Sequence, residues 1–305
     1  MVNPPWGEGI AGDTCLELLR LLFFPGLGTL LAGGGLLITL DRRAAGLLVG
    51  KGVDGGYAAF EGQGGEWVPN PQAGMALTGS LVALALAVLL LFGSRGDLLL
   101  EALLFASAEA LPMAALLVGG GRKEEAFLPL AFRTALLRSL SFLSVLTAVS
   151  LRYPGGPDFS FRSFLGQHLF ASLSLWEGPV RPVVAAALAL ASLSSAMLVL
   201  GDPGWEEGLV FPGGGGEALA VRSLRAAERG YLASVFTVLF LGYPGEGNGG
   251  LAFWLAVVSG WLILSVLLRA GFSRWGRVGK RKVQWWSAVP ALLSLALMVG
   301  ASLLG

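Results

Sequence analysis

The chain has a single cysteine, Cys15, and a single histidine, His168, in 305 residues. One thiol cannot close an intrachain disulfide, and the two side chains together cannot ligate an iron–sulfur cluster or a zinc ion from this chain alone. Any redox cofactor is therefore expected on a partner. Cys15 reads as a small apolar filler and His168 as an interfacial side chain without a ligand role. Charge is also scarce. Only 13% of residues are charged, against roughly 25% in an ordinary soluble domain, and a net charge of +1 offers no basic field for nucleic acid. Met1 to Thr14 lacks the basic n-region of a signal peptide and carries Glu8 and Asp13 instead, so the first helix is expected to stay in the chain. No transporter-like pair of broken helices or short repeat period is evident. Gly213 to Gly216 lacks the Gly-Lys-Ser/Thr and the preceding strand of a phosphate loop, which leaves loop flexibility as its reading.

Hydrocarbon is abundant. Fifty-four per cent of the residues are hydrophobic and the mean hydropathy is +0.71, the composition of a polytopic membrane protein. Apolar runs long enough for a bilayer, which needs about 20 residues, fall at about 16–40, 74–93, 98–118, 128–151, 180–201, 218–241, 249–268 and 285–304. The expectation is an all-α fold, one transmembrane domain over 1–305 with about eight helices. Lys51 to Ala73, rich in Gly and containing Pro69 and Pro71, reads as an irregular surface loop. The 152–179 connection is expected to lie partly along the interface, with Phe164, Phe170 and Trp176 as anchors.

Basic residues choose the orientation. With the N-terminus outside, the inner connections carry Arg42, Arg43, Lys51, Arg122, Lys123, Arg269, Arg274, Arg277, Lys280, Arg281 and Lys282, whereas the outer ones carry only Arg95, Arg152, Arg162 and Arg181. Both termini are therefore expected outside, in a multi-pass protein of the cell (inner) membrane. The basic cluster from Arg274 to Lys282 suits either anionic lipid or a docked subunit.

Ionisable residues inside spanning runs are costly and point to function by default. Glu101 and Glu109, eight residues apart in the third run, share a helix face and could meet Arg133 or Arg138 of the fourth. Each pairing reads either as an ion pair that fixes packing or as part of a proton path. In the sixth run Arg222, Arg225 and Arg229 recur at helical spacing beside Glu228, with Glu217 just before. At about 1.5 Å per residue, Glu228 lies about 16 Å beyond Glu217, roughly halfway through a 30 Å core. Arg225 or Arg229 is then expected to pair with Glu228 or with a carboxylate on another helix, Glu109 first.

Four stretches in order carry a resemblance: Asp41-Arg42-Arg43 with Gly46 and Gly50-Lys51; Arg133 to Phe142 with Ser141-Phe142; Asp202-Pro203 with Glu206-Glu207-Gly-Leu-Val210; and Arg274-x-x-Arg277 with Trp285 and Val289-Pro290. Together they resemble the NADH dehydrogenase subunit 1 family of respiratory complex I, which includes membrane subunits of formate hydrogenlyase and energy-converting hydrogenases. The family topology agrees with the charge count. A Glu usual after Ser141-Phe142 is missing, and the acidic inner loop is thinned, which suits a hydrogenase-type relative better than a quinone reductase.

The resemblance implies a membrane anchor and coupling subunit, itself without catalytic or metal-ligating residues. Nickel–iron and iron–sulfur centres would sit on hydrogenase-like large and small subunits at the cytoplasmic side, with antiporter-like subunits beside it in the lipid bilayer. Arg42, Arg43, Lys51, Asp202, Glu206 and Glu207 would face the docked subunits. Glu228 would be a proton-relay carboxylate, with Glu109, Glu217, Arg133, Arg225 and Arg229 as further path residues. The competing readings are a quinone-reducing subunit of the NADH dehydrogenase type, a free-standing secondary transporter and a purely structural membrane protein.

Overall fold

A computed structural model of the chain describes residue 19 and residues 27–49, 71–92, 97–119, 122–154, 156–160, 169–200, 219–241 and 279–304. Among these residues, seven α-helices span Leu27–Val49 (α1), Pro71–Phe92 (α2), Leu98–Gly119 (α3), Arg122–Ser150 (α4), Val180–Leu200 (α5), Leu219–Phe236 (α6) and Gly279–Leu304 (α7). A 3-10 helix at Leu169–Leu175 precedes α5, and a π-helical turn at Thr237–Leu241 extends α6. The fold is all-helical, and the described residues contain no β-strand beyond one isolated bridge between Asp97 and Ser160.

Among the described residues, five helices have the length and composition to cross a membrane, over Gly74–Leu91, Leu98–Ala115, Leu128–Ser150, Val180–Val199 and Trp286–Leu304. Their outward faces carry large apolar side chains: Leu86 on α2, Leu103 on α3, Leu136, Leu140 and Leu143 on α4, Leu193 on α5 and Leu292 and Leu293 on α7 are all exposed. A ring of exposed aliphatic groups on every one of these helices would be a liability in water, and it suits hydrocarbon. The protein is a polytopic helical membrane protein. Of the other expected spans, α1 has only the short apolar stretch Leu30–Thr39, α6 is too polar, and 249–268 lies outside the described residues.

α2 begins at Pro71, inside the end of the stretch read as a loop, and three other helices run a full turn or more past the boundaries drawn from hydropathy. The first does not end at Leu40 but continues through Asp41, Arg42 and Arg43 to Val49, so those residues belong to a helix and not to a surface loop. α4 begins at Arg122, not 128, and α7 at Gly279, not 285. In each case a charged turn has been added at the end that the basic residues assign to the inside. Hydropathy marks where hydrocarbon stops, whereas backbone hydrogen bonding continues into the charged layer.

The least apolar helix is the most enclosed. α6 packs against α1, α2 and α5, while α3 lies between α2 and α4, and α7 against α4 and α5. Ala220, Val221, Leu224, Ala226, Ala227, Tyr231, Leu232, Ala233 and Val235 of α6 are all buried. Its polar side chains therefore meet neighbouring helices instead of lipid. The α1–α6 crossing is a backbone contact. A Cβ at Gly34 would overlap the Ala226 carbonyl, and one at Gly230 would sit 2.6 Å from the Leu30 carbonyl oxygen, so only glycine permits this approach.

Candidate functional site

Arg138 is the hub of the bundle. It is 1% exposed, and its Nε donates to Glu109 Oε1 on α3 at 2.7 Å. Its Nη1 donates to the Leu198 carbonyl on α5 at 3.3 Å, and its Nη2 donates to Glu228 Oε1 on α6. One guanidinium thus joins four helices, a task that a planar fork of five N–H donors performs and a point-like ammonium does not. Glu109 and Glu228 are 2% and 5% exposed. Glu109 stands eleven residues into α3 and Glu228 nine into α6, about 16 and 14 Å along their axes, which puts both near mid-bundle.

Local backbone chemistry positions Glu109. Pro112 lies inside α3 and cannot donate to the carbonyl four residues earlier, that of Ala108. The Ser80 hydroxyl of α2 donates to that carbonyl at 2.7 Å. The turn holding Glu109 is thereby loosened from its own helix and tied to a neighbour. Glu109 Oε2 has no hydrogen-bond partner among the described residues, which leaves one carboxyl oxygen available at the centre of the bundle.

A second buried carboxyl lies two turns away on α3. Glu101, fully buried, accepts a 2.7 Å hydrogen bond from the Tyr231 hydroxyl of α6. Its Oε1 also has no partner among the described residues. At the end where α3 begins and α4 ends, the connecting chain is folded back on the bundle. Leu98 N–H donates to the Phe159 carbonyl at 2.9 Å, and Asp158 N–H donates to the Ser150 carbonyl at 2.8 Å. Arg152 is buried there with its guanidinium over the Tyr153 ring at 4.4 Å and 3.6 Å from Asp158. Burial pulls the Arg152 pKa down from the ordinary arginine value, against the opposing pull of Tyr153 and Asp158. Trp176 is 3% exposed and donates to the Arg152 carbonyl at 2.7 Å. It is a buried strut, not an interfacial anchor, while Phe170 is exposed.

Of the two arginines on α4 that could have met the carboxylates, Arg138 does so; Arg133 is exposed on the face shared with Phe132, Leu136 and Leu140. The distinguishing signal is the small-residue face. Ala131, Thr134, Ala135, Arg138 and Ser141 are buried at helical spacing, and small residues line helix contacts in membranes. Arg225 and Arg229 are half-buried on α6. Glu217, Lys51, Asp202, Glu206, Glu207 and His168 lie outside the described residues, as do Phe164 and Cys15; Arg42 and Arg43 are described only as part of α1. Among the described residues no group of three or more His, Cys, Asp or Glu side chains could hold a metal ion.

Helix order, enclosure of α6 and the central charge cluster define a class: a polytopic membrane bundle built around buried ionisable groups. Comparison with known proteins extends this. No protein-family profile and no curated protein matches the sequence. Among solved structures, the chain is similar to one from the membrane-bound sulfane sulfur reductase, an archaeal respiratory membrane complex, at 17% identity and a TM-score of 0.61. The similarity covers 92% of this chain and 99% of the other. At that identity the two share a fold, over nearly the whole of each.

Proposed function

We propose that the chain is the membrane anchor and coupling subunit of a complex I-like energy-converting oxidoreductase, of the membrane-bound hydrogenase or formate hydrogenlyase type. The carrying observation is that Arg138 binds Glu109 and Glu228 at once in mid-bundle. The fold likeness to a chain of an archaeal respiratory membrane complex and the ordered resemblance to the NADH dehydrogenase subunit 1 family support the same reading. The nickel–iron and iron–sulfur centres are then on partner subunits docked at the inner face, where Arg42, Arg43, Lys51, Asp202, Glu206 and Glu207 meet them. Antiporter-like subunits flank the bundle.

The chemistry follows from one cation shared by two acids. A proton that arrives on Glu228 cancels its charge and weakens its hold on Arg138, so the guanidinium shifts its weight toward Glu109. Because the three groups stand on α6, α4 and α3, moving the proton re-tensions three helices. Proton occupancy and helix packing thus become one variable, which is what a coupling subunit needs. Glu228→Gln tests this, since it keeps size and hydrogen bonding but carries no proton. The complex bearing it should assemble and turn over its redox substrate without building an ion gradient; a normal gradient would exclude the relay role.

A further inference from the structure

The three helices that supply the charge cluster also supply, one turn along, three aromatic rings. On α3 the step from Glu109 leads four residues back to Phe105; on α4 the step from Arg138 leads four forward to Phe142; on α6 the step from Glu228 leads three forward to Tyr231. All three steps point toward the end where α3 begins and α4 ends, because α3 runs antiparallel to the other two. The rings form a contiguous layer. Phe105 and Phe142 have centroids 4.5 Å apart, Phe105 and Tyr231 5.9 Å, and Phe142 and Tyr231 6.0 Å. These are packing distances for rings in direct contact, and none of the three is more than 1% exposed.

The two sides of this layer differ in chemistry. On one side lie Glu109, Arg138 and Glu228, followed along α6 by the half-buried Arg225, toward the end that the basic residues mark as inner. On the other lies Glu101, one further turn back along α3, whose bonded partner is the Tyr231 hydroxyl. The same ring that completes the apolar layer therefore presents its one polar atom to the far side only.

We propose that Phe105, Phe142 and Tyr231 form an insulating septum that separates the central charge cluster from the outer side, so that protons reach the cluster from the inner side alone. Packed rings leave no room for a file of water, and a polar cluster in mid-membrane without such a layer would be a leak. The inference needs only that the bundle spans a membrane, so it stands or falls separately from membership in an oxidoreductase complex.

The test uses the full-length chain in sealed vesicles with a potassium diffusion potential and an internal pH dye. Wild-type vesicles should take up protons no faster than protein-free ones, and Phe105→Ala with Phe142→Ala should raise the rate at least tenfold. Adding Glu109→Gln and Glu228→Gln to that double variant should return the rate to the wild-type level, because the leak runs through the cluster. Leu140→Ala, on the exposed face of α4, should stay tight. Folding is checked by elution as a single species and by thermal unfolding; should the double variant fail there, Phe105→Ala alone is read by the same criteria. A folded septum variant as tight as wild type, or a wild type or Leu140→Ala control that leaks as fast as the septum variant, overturns the proposal.

Discussion

Replacing Arg138 by Met keeps the length of the side chain and removes the charge that Glu109 Oε1 and Glu228 Oε1 share. Breaking a buried pair by deleting one partner costs about 3–5 kcal/mol, because the remaining charge is stranded. Here two carboxylates lose the same cation, both at most 5% exposed, and the Leu198 carbonyl loses a donor. The cost therefore belongs at the upper end, about 5 kcal/mol. At about 2 °C per kcal/mol for a chain of this size, thermal unfolding in detergent followed by tryptophan fluorescence should fall by about 10 °C. The triple variant Arg138→Met, Glu109→Leu, Glu228→Leu should recover most of that loss, since well-packed apolar residues replace buried ion pairs with little penalty. Arg138→Lys should fall between, because an ammonium holds its three donors on one nitrogen, whereas Arg138 reaches Glu109, Leu198 and Glu228 from three separate nitrogens. An Arg138→Met variant as stable as wild type, or a triple variant no better than the single, would refute the hub.

Gly34→Ala should destabilise by about 1–3 kcal/mol or more, because its methyl overlaps the Ala226 carbonyl where α1 crosses α6; the same unfolding assay reads it. Ser80→Ala should cost about 1–3 kcal/mol by stranding the Ala108 carbonyl, and adding Pro112→Ala, which restores an N–H to that carbonyl, should return part of it. Charge reversal at Arg42 and Arg43 should release peripheral subunits while the chain still inserts; an intact, active complex would reduce both to topology charges.

The membrane class, most of the helical runs and the choice of Glu109 and Glu228 as carboxyls inside the bundle were legible because hydrocarbon thickness and the cost of burying charge act on sequence directly. The extra turns of α1, α4 and α7 were not, since charged residues such as Arg42 and Lys280 fit a helix outside hydrocarbon as well as a loop. Choosing Arg138 over Arg133 required knowing which face of α4 is inward. Its small-residue stripe holds that information, but charge spacing alone does not. The aromatic layer was hidden for another reason: Phe105, Phe142 and Tyr231 are far apart in sequence and become one surface only when three helices are in register. Trp176 illustrates the converse, an aromatic beside a predicted interface that instead turns its indole N–H inward to the Arg152 carbonyl.

Purification of the tagged chain from its native membrane in mild detergent tests the central claim most directly. The account predicts recovery with a large catalytic subunit, an iron–sulfur subunit and antiporter-like membrane subunits, with nickel and iron present in the preparation. Recovery of the folded chain alone, with no metal and no further subunit, would contradict it.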